Sequence, residues 1–141
     1  MATTTVSLDL DATTLDRLAE RERATGESRS QLAQRYIEEG LRMERHPGIV
    51  FRDGPTGRRA ALVAGPDVWE VMAGLRDVDL TSDAEIKAEA AWLEMPVSRL
   101  RAALSYYAEF REEIDDRIDR NHALGIKLEA AWRAERGLPA V

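Results

Sequence analysis

The sequence predicts a mainly helical protein with short β-elements. Three observations support this prediction. An alternation of polar and apolar residues near the N-terminus indicates one strand, apolar residues at helical spacing recur through the rest of the chain, and a turn-rich segment separates two short apolar runs in the middle. These patterns divide the chain into a strand and two helices over 1–45, a β-hairpin and helices over 46–121, and a helical tail over 122–141.

Composition narrows the classes of function. The chain has 141 residues, no cysteine, two histidines and a formal net charge of -6. The absence of cysteine excludes disulfide scaffolds, thiol catalysis and cysteine-bearing zinc sites, so we expect a cytoplasmic protein without metal or cofactor. No segment approaches the roughly 20 apolar residues of a membrane helix. The acidic balance argues against a uniformly basic nucleic-acid surface, so any such contact must be local.

The N-terminal module is predicted from alternation and from helix caps. Thr3–Leu10 alternates between apolar and polar residues, which is typical of a half-buried strand. Asp11 is the expected N-cap of a first helix, and Gly26 is its expected end. Ser28 and Gln31 have the spacing of a capping box that begins a second helix.

One strand and two helices cannot close a core alone, because a single strand leaves both backbone edges unpaired. Pairing through the strand with a second copy would satisfy backbone hydrogen bonds of the strand and enlarge the core. We therefore predict a homodimer or a higher even-numbered oligomer. Apolar side chains of the strand and the second helix would form the core of that dimer: Val6, Leu8, Leu10, Leu32, Tyr36 and Ile37.

The run V-S-L-D-L-D-A-T-T-L-D-R-L and the later G-E-S-R-S-Q-L resemble the ribbon-helix-helix unit of the MetJ/Arc and CopG type, which is found in many antitoxins. The resemblance covers about Thr3–Glu44. It implies that two antiparallel strands enter the major groove of double-stranded operator DNA. The base contacts would be Thr3, Thr5, Ser7 and Asp9. The alternative is an exposed polar face of a dimer strand, and Asp9 either accepts from cytosine N4 or weakens the contact by repelling phosphate.

The start of the second helix is a candidate phosphate site. Its free backbone N–H groups and helix dipole favour an anion, and Ser28, Arg29 and Ser30 lie there. The alternative is a plain N-cap with a solvated arginine.

The second module begins where His46-Pro47-Gly48 ends the second helix. Ile49–Arg52 and Arg58–Val63 flank a turn-rich loop and predict a hairpin. Gly65–Asp67 then opens a helix whose apolar residues lie at i, i+3, i+4 and i+7. They are Val68, Val71, Met72 and Leu75.

Two further helices, Glu85–Leu93 and Ser98–Tyr107, are separated by Glu94-Met95-Pro96, a break that suggests a helix-turn-helix. Its shared core would be Ala90, Leu93, Val97, Leu100, Ala103 and Leu104. Arginines near this motif and on the hairpin are candidate second DNA contacts: Arg58, Arg59, Arg99 and Arg101. The alternative is a packing domain with solvated arginines. The span from His46 to about Asn121 resembles the small winged, helix-turn-helix-like antitoxin domain encoded beside PIN-like toxins, which implies a PIN-like ribonuclease as partner.

The tail continues a helical pattern that falters at Gly125. Ile126, Leu128 and Trp132 are apolar among charged neighbours and are predicted to bind a partner protein. The alternative is that Trp132 folds back onto its own domain.

No catalytic pattern is present in the sequence. His46 and His122 are not at ligand spacing from another His, and no phosphate-binding glycine loop or nucleophile elbow occurs. We therefore expect a non-enzyme, an antitoxin-type repressor that autoregulates its operon and neutralises a toxin. The alternative is a dimeric protein-interaction module without specific DNA binding.

Overall fold

The computed structural model describes residues 2–139 and is mainly helical with one short antiparallel hairpin. The chain forms two compact units, unit 1 (Met1–Arg42) and unit 2 (Met43–Val141). The predicted module boundary at residue 45 is therefore displaced by three residues into the second helix. The elements in chain order are α1 (Ala12–Thr25), α2 (Arg29–Arg45), β1 (Ile49–Arg52), β2 (Arg59–Leu62), α3 (Val68–Ala73), α4 (Asp83–Trp92), α5 (Val97–Glu109) and α6 (Arg111–Glu135).

The two helices of unit 1 begin and end at the predicted caps. The Asp11 side chain accepts a hydrogen bond from the Thr14 backbone N–H, and Gly26 ends α1 with a left-handed φ of 75°. The Ser28 hydroxyl accepts from the Gln31 N–H at 3.2 Å, while the Gln31 side chain accepts from the Ser28 N–H at 2.9 Å. This reciprocal pair is the predicted capping box, so the local signals in the sequence fix both helix starts.

The predicted strand over Thr3–Leu10 is absent from the single chain. Residues 2–10 have no regular secondary structure and are exposed. The physical reason is that strand hydrogen bonds require a neighbouring strand, and residues 2–42 contain no second one. Leu32 is the only buried apolar side chain described in unit 1. Unit 1 is therefore a pair of helices without a core of its own.

The Asp11 cap gives a prediction for acid. Hydrogen bonds from the backbone N–H and the hydroxyl of Thr14 lower the pKa of the Asp11 carboxyl below its usual value of 3.8. The cap is therefore fully present above that usual value and is lost as the pH falls through the lowered pKa. In a pH titration followed by NMR, we expect the Thr14 amide shift to move with a midpoint below 3.8.

Asp11→Asn keeps the cap without a titrating group. Its Thr14 amide should stay constant, and a shift that moves equally in both proteins would contradict the assignment.

Unit 2 is built on the hairpin, which pairs Ile49 with Leu62 and Arg52 with Arg59. The predicted hairpin and its turn-rich loop are thus confirmed. The hairpin packs against α3 and α5, α4 packs against α5, and α6 packs against both α3 and α5. The buried core contains seven of the residues predicted from apolar spacing, together with residues of the hairpin and of the later helices: Val68, Val71, Met72, Leu75, Ala90, Leu100 and Ala103, with Ile49, Ala60, Leu62, Tyr106, Ile114 and Ile118.

The predicted break between the last two core helices is also present. Pro96 precedes α5, and the turn from Leu93 to Pro96 includes Glu94 with a positive φ of 54°. Leu93, Val97 and Leu104 are partly buried against the core.

The tail is helical, but it is not a separate element. α6 continues through Gly125 without interruption to Glu135, so the expected interruption at Gly125 does not occur. No close packing requires a glycine at this position, since a side chain at Gly125 would meet no atom within 4 Å. Residues 140 and 141 of the predicted tail lie outside the described residues. No helix in the described part of the chain is long and apolar enough to cross a membrane.

Candidate functional site

Unit 1 carries an apolar groove of about 430 Å³ along α1 and α2. It brings together four residues of the predicted dimer core, of which Leu8 is 57% exposed and Ile37 is 49% exposed. The groove is lined by Leu8, Leu10, Thr14, Arg17, Leu18, Arg21, Ala33, Tyr36 and Ile37. Val6, which is 73% exposed, lies outside this lining, and Leu32 is fully buried. Such a contiguous apolar patch on so small a unit is typical of a surface that another protein segment covers.

The predicted base-contacting residues lie in the same N-terminal segment. Thr3, Thr5, Ser7 and Asp9 are all exposed. Their apolar neighbours are exposed as well, so the single chain does not separate a polar face from a buried one. That separation would require the segment to become a strand with one face covered.

The predicted phosphate site at the start of α2 is exposed and already has internal partners. Ser28 serves the capping box, and the Arg29 guanidinium donates to the Glu22 carboxylate at 2.6 Å. Ser30 is exposed beside them. Because a surface ion pair of this kind contributes about 0–1 kcal/mol, Arg29 is able to exchange Glu22 for a phosphate at small cost.

No family model, curated protein or solved structure matches the chain.

The arginines predicted as second DNA contacts are mostly held by carboxylates of unit 2. Arg59 pairs with Asp67, whose side chain is 6% exposed, and Arg101 pairs with Asp83 at 2.8 Å. Arg58 lies 3.3 Å from Asp53. Arg99 makes a long contact of 3.5 Å with the Ala64 carbonyl. Arg59 thus has a structural role in the fold, whereas Arg58 and Arg99 are partly buried and Arg101 is exposed.

Two more arginines hold the hairpin rather than a ligand. Arg52 donates to the carbonyls of Gly65 and Leu62, and Arg117 donates to the carbonyls of Thr56 and Arg58. Most of the described arginines of unit 2 are therefore paired with carboxylates or backbone oxygens of the same unit, which disfavours a broad basic surface on this unit.

The predicted partner-binding residues are exposed on α6. Ile126 is 58% exposed, Leu128 is 60% exposed and Trp132 is 47% exposed, with the Arg136 guanidinium 4.8 Å from the centroid of the Trp132 ring. Trp132 is not part of the core of unit 2, and about half of its surface remains exposed in the single chain.

A cleft beside this helix was missed by the sequence analysis. It has a volume of about 950 Å³ between α3 and α6, and its lining includes Trp69, Arg76, Asp119, Gly125 and Ile126. These residues come from separate parts of the chain, so a local pattern does not reveal the whole cleft. The one local signal is on its α6 side, where four lining residues lie at helical spacing: His122, Gly125, Ile126 and Glu129.

His46 is buried, which its place in a turn did not indicate. Its Nε2 lies 2.7 Å from Glu109 Oε2 and its Nδ1 lies 3.3 Å from Ser105 Oγ. This arrangement contains the residue types of a nucleophilic triad. Ser105, however, lies inside α5, where backbone N–H groups are used in helix hydrogen bonds and cannot form an oxyanion hole. We therefore assign His46 a structural role in joining the end of α2 to α5.

A metal site would need several ligating side chains close together in residues 2–139. No group of three or more His, Asp or Glu side chains there could hold a metal ion. His46 and His122, the two histidines of the chain, belong to different sites, one at the end of α2 and one in the α3–α6 cleft.

Proposed function

We propose that this protein is an antitoxin-type transcriptional repressor that dimerises through its N-terminal segment and binds operator DNA. The observation that carries the proposal is the exposed apolar face of unit 1. Leu8 and Leu10 lie against Tyr36 and Ile37 in one groove, although a stable small domain would bury such residues. A second copy that adds its own N-terminal strand would cover this face.

Dimerisation of this kind supplies the DNA-binding face as well. In a strand, side chains alternate between the two sides, so covering Val6, Leu8 and Leu10 leaves Thr5 and Ser7 on the outer side. Two antiparallel copies form a ribbon of the width that a major groove accepts. The start of α2 then provides backbone N–H groups and Arg29 for a phosphate.

The experiment that tests DNA binding compares the protein's own promoter with random duplex at several salt concentrations. Thr5→Ala should change operator preference, whereas Arg29→Ala should weaken binding to all sequences and reduce the salt slope by about one unit. Arg111→Ala is a control, since Arg111 lies over the Tyr107 ring in unit 2 and not in the N-terminal segment. Equal affinity of the wild-type protein for promoter and random duplex would rule out the repressor.

A second candidate is a dimeric interaction module without specific DNA binding. It is favoured by the acidic balance of 26 Asp and Glu against 20 Lys and Arg, and by the carboxylate partners of Arg29, Arg59 and Arg101. Asp9 within the proposed DNA-facing row supports it further, because a carboxylate repels phosphate. The promoter-binding experiment separates the two candidates.

We further propose that α6 contacts a partner toxin. The resemblance of the second module to antitoxin domains encoded beside PIN-like toxins implies that this partner is a PIN-like ribonuclease. Exposed Ile126, Leu128 and Trp132 would enter an apolar groove of that partner as helix anchors. Such residues supply roughly 1.5–3 kcal/mol each on full burial, so Trp132→Ala should weaken the toxin complex at least about tenfold.

The matched measurement is operator binding, which Trp132→Ala should leave nearly unchanged because the DNA-facing residues lie in unit 1. Deleting residues 122–141 should abolish toxin neutralisation. Undiminished neutralisation by this deletion variant would place the toxin contact elsewhere in the chain.

A further inference from the structure

The apolar stripe of α6 continues beyond the core that its first half covers. Ile114 and Ile118 are buried in unit 2, and Trp132 follows Ile114 by eighteen residues, about five turns of helix, so it lies on the same side. Gly125 and Leu128 occupy that side between them. The residues from 122 onward have no buried member among those described. A solitary helix of this length is marginal in water, so the segment gains stability when something packs on it.

The cleft beside the stripe has an acidic rim. Asp77, Asp119 and Glu129 line it together with one arginine, Arg76, which already donates to Asp119 at 2.9 Å and lies 3.7 Å from Asp115. The apolar part of the lining includes Trp69, Ala73, Ile118 and Ile126. An occupant that fits this cleft has an apolar anchor with positive charge beside it.

The end of α6 has this chemistry. Trp132 is half-exposed, the Arg136 guanidinium lies over its ring, and Arg133 is the next residue along the chain. The helix cannot place its own Trp132 in the cleft, because Glu129 in the cleft wall and Trp132 belong to the same rigid helix. A second copy can do so.

We propose that two copies of this chain pair through the second half of α6, antiparallel, with Trp132 of each entering the α3–α6 cleft of the other. If Trp132 lies at the level of His122, the pairing axis falls near Lys127, and Arg136 lies within a turn of Asp119 across the contact. Gly125 then lies in the contact, and since nothing occupies the space around its Cα, it allows close approach of the helices. The contact is isologous, with the same residues supplied by each copy.

This pairing goes beyond the proposed function and does not depend on it. It uses Leu128 and Trp132, the residues proposed to contact the toxin, so one α6 cannot serve both occupants at once. Self-pairing would therefore compete with the toxin for this helix, and the experiment below requires neither DNA nor toxin.

The test uses introduced thiols in the full-length chain, which has no cysteine of its own. Leu128→Cys lies close to the pairing axis on the contact side. Ala123→Cys is the matched control, because it is exposed on the same half of α6 but nine residues from Trp132, about two and a half turns, and so on the opposite side. Under mild oxidation at micromolar concentration, the Leu128→Cys protein should form disulfide-linked dimers at least about tenfold faster than the control.

Charge reversal tests the register. In the Leu128→Cys background, Arg136→Asp and Trp132→Ala should each return the rate to that of the control. Equal rates for the two cysteine positions would overturn the proposal, and so would rapid crosslinking that neither Arg136→Asp nor Trp132→Ala reduces.

Discussion

Leu8→Asp is expected to abolish folding of unit 1 and with it dimerisation through the N-terminal segment. Leu8 lines the groove of unit 1 and is 57% exposed in the single chain. In the proposed dimer, Val6, Leu8 and Leu10 become buried in both copies, and each contributes roughly 1.5–3 kcal/mol. A carboxylate at Leu8 would remove that contribution twice per dimer and would bury two unpaired charges. Since Leu32 is the one fully buried apolar residue among residues 2–42, no other core there compensates.

The measurement is sedimentation equilibrium together with far-UV circular dichroism over a range of protein concentrations, with Trp132→Ala in every protein compared so that pairing through α6 does not contribute. The wild-type midpoint of thermal unfolding should rise with concentration, as mass action requires for a dimer. Ser7→Asp is the matched control, since it places the same charge on the neighbouring residue at the outer side of the strand. It should leave the dimer intact. A wild-type protein that is monomeric and fully folded at micromolar concentration would refute the architecture.

The helices of this chain were predictable because their signals are local. Asp11 and Gly26 bound α1, and Ser28 with Gln31 starts α2, through hydrogen bonds within four residues along the chain. The spacing of Val68, Val71 and Met72 likewise marks a buried face without any knowledge of its partner.

What the sequence could not predict depends on contacts between distant segments. The N-terminal strand has the correct alternation, yet its hydrogen bonds require a partner that one chain does not contain. A glycine in a helix costs about 1 kcal/mol relative to alanine. The sequence does not show whether a helix ends at Gly125 or tolerates this cost, and α6 continues through it. His46 is buried through its bond to Glu109, 63 residues away.

Arg59 is the clearest case of a candidate site residue whose role was decided by such a contact. Its hydrogen bond to Asp67 joins β2 to the residue that precedes α3. Asp67 also accepts a hydrogen bond from the Trp69 indole at 3.2 Å, and this use of its carboxylate replaces the usual N-cap bond. Gly54 makes the arrangement possible, because a side chain there would lie 1.7 Å from the Arg59 guanidinium.

Arg59→Ala is therefore expected to destabilise unit 2 by about 3–5 kcal/mol, since it leaves the Asp67 carboxylate, 6% exposed, without its cation. Urea unfolding followed by tryptophan fluorescence measures this loss of stability directly, because all three tryptophans belong to unit 2.

Arg58→Ala should destabilise unit 2 much less, because its partner Asp53 is 71% exposed. Gly54→Ala should cost less than Arg59→Ala, because the end of the Arg59 guanidinium can shift while its Nε stays paired with Asp67. In a double-mutant cycle, Arg59→Ala combined with Asp67→Ala should be less destabilised than the sum of the single variants, because the double variant buries no unpaired charge. An Arg59→Ala protein with wild-type stability and weaker DNA binding would instead return Arg59 to the set of DNA contacts.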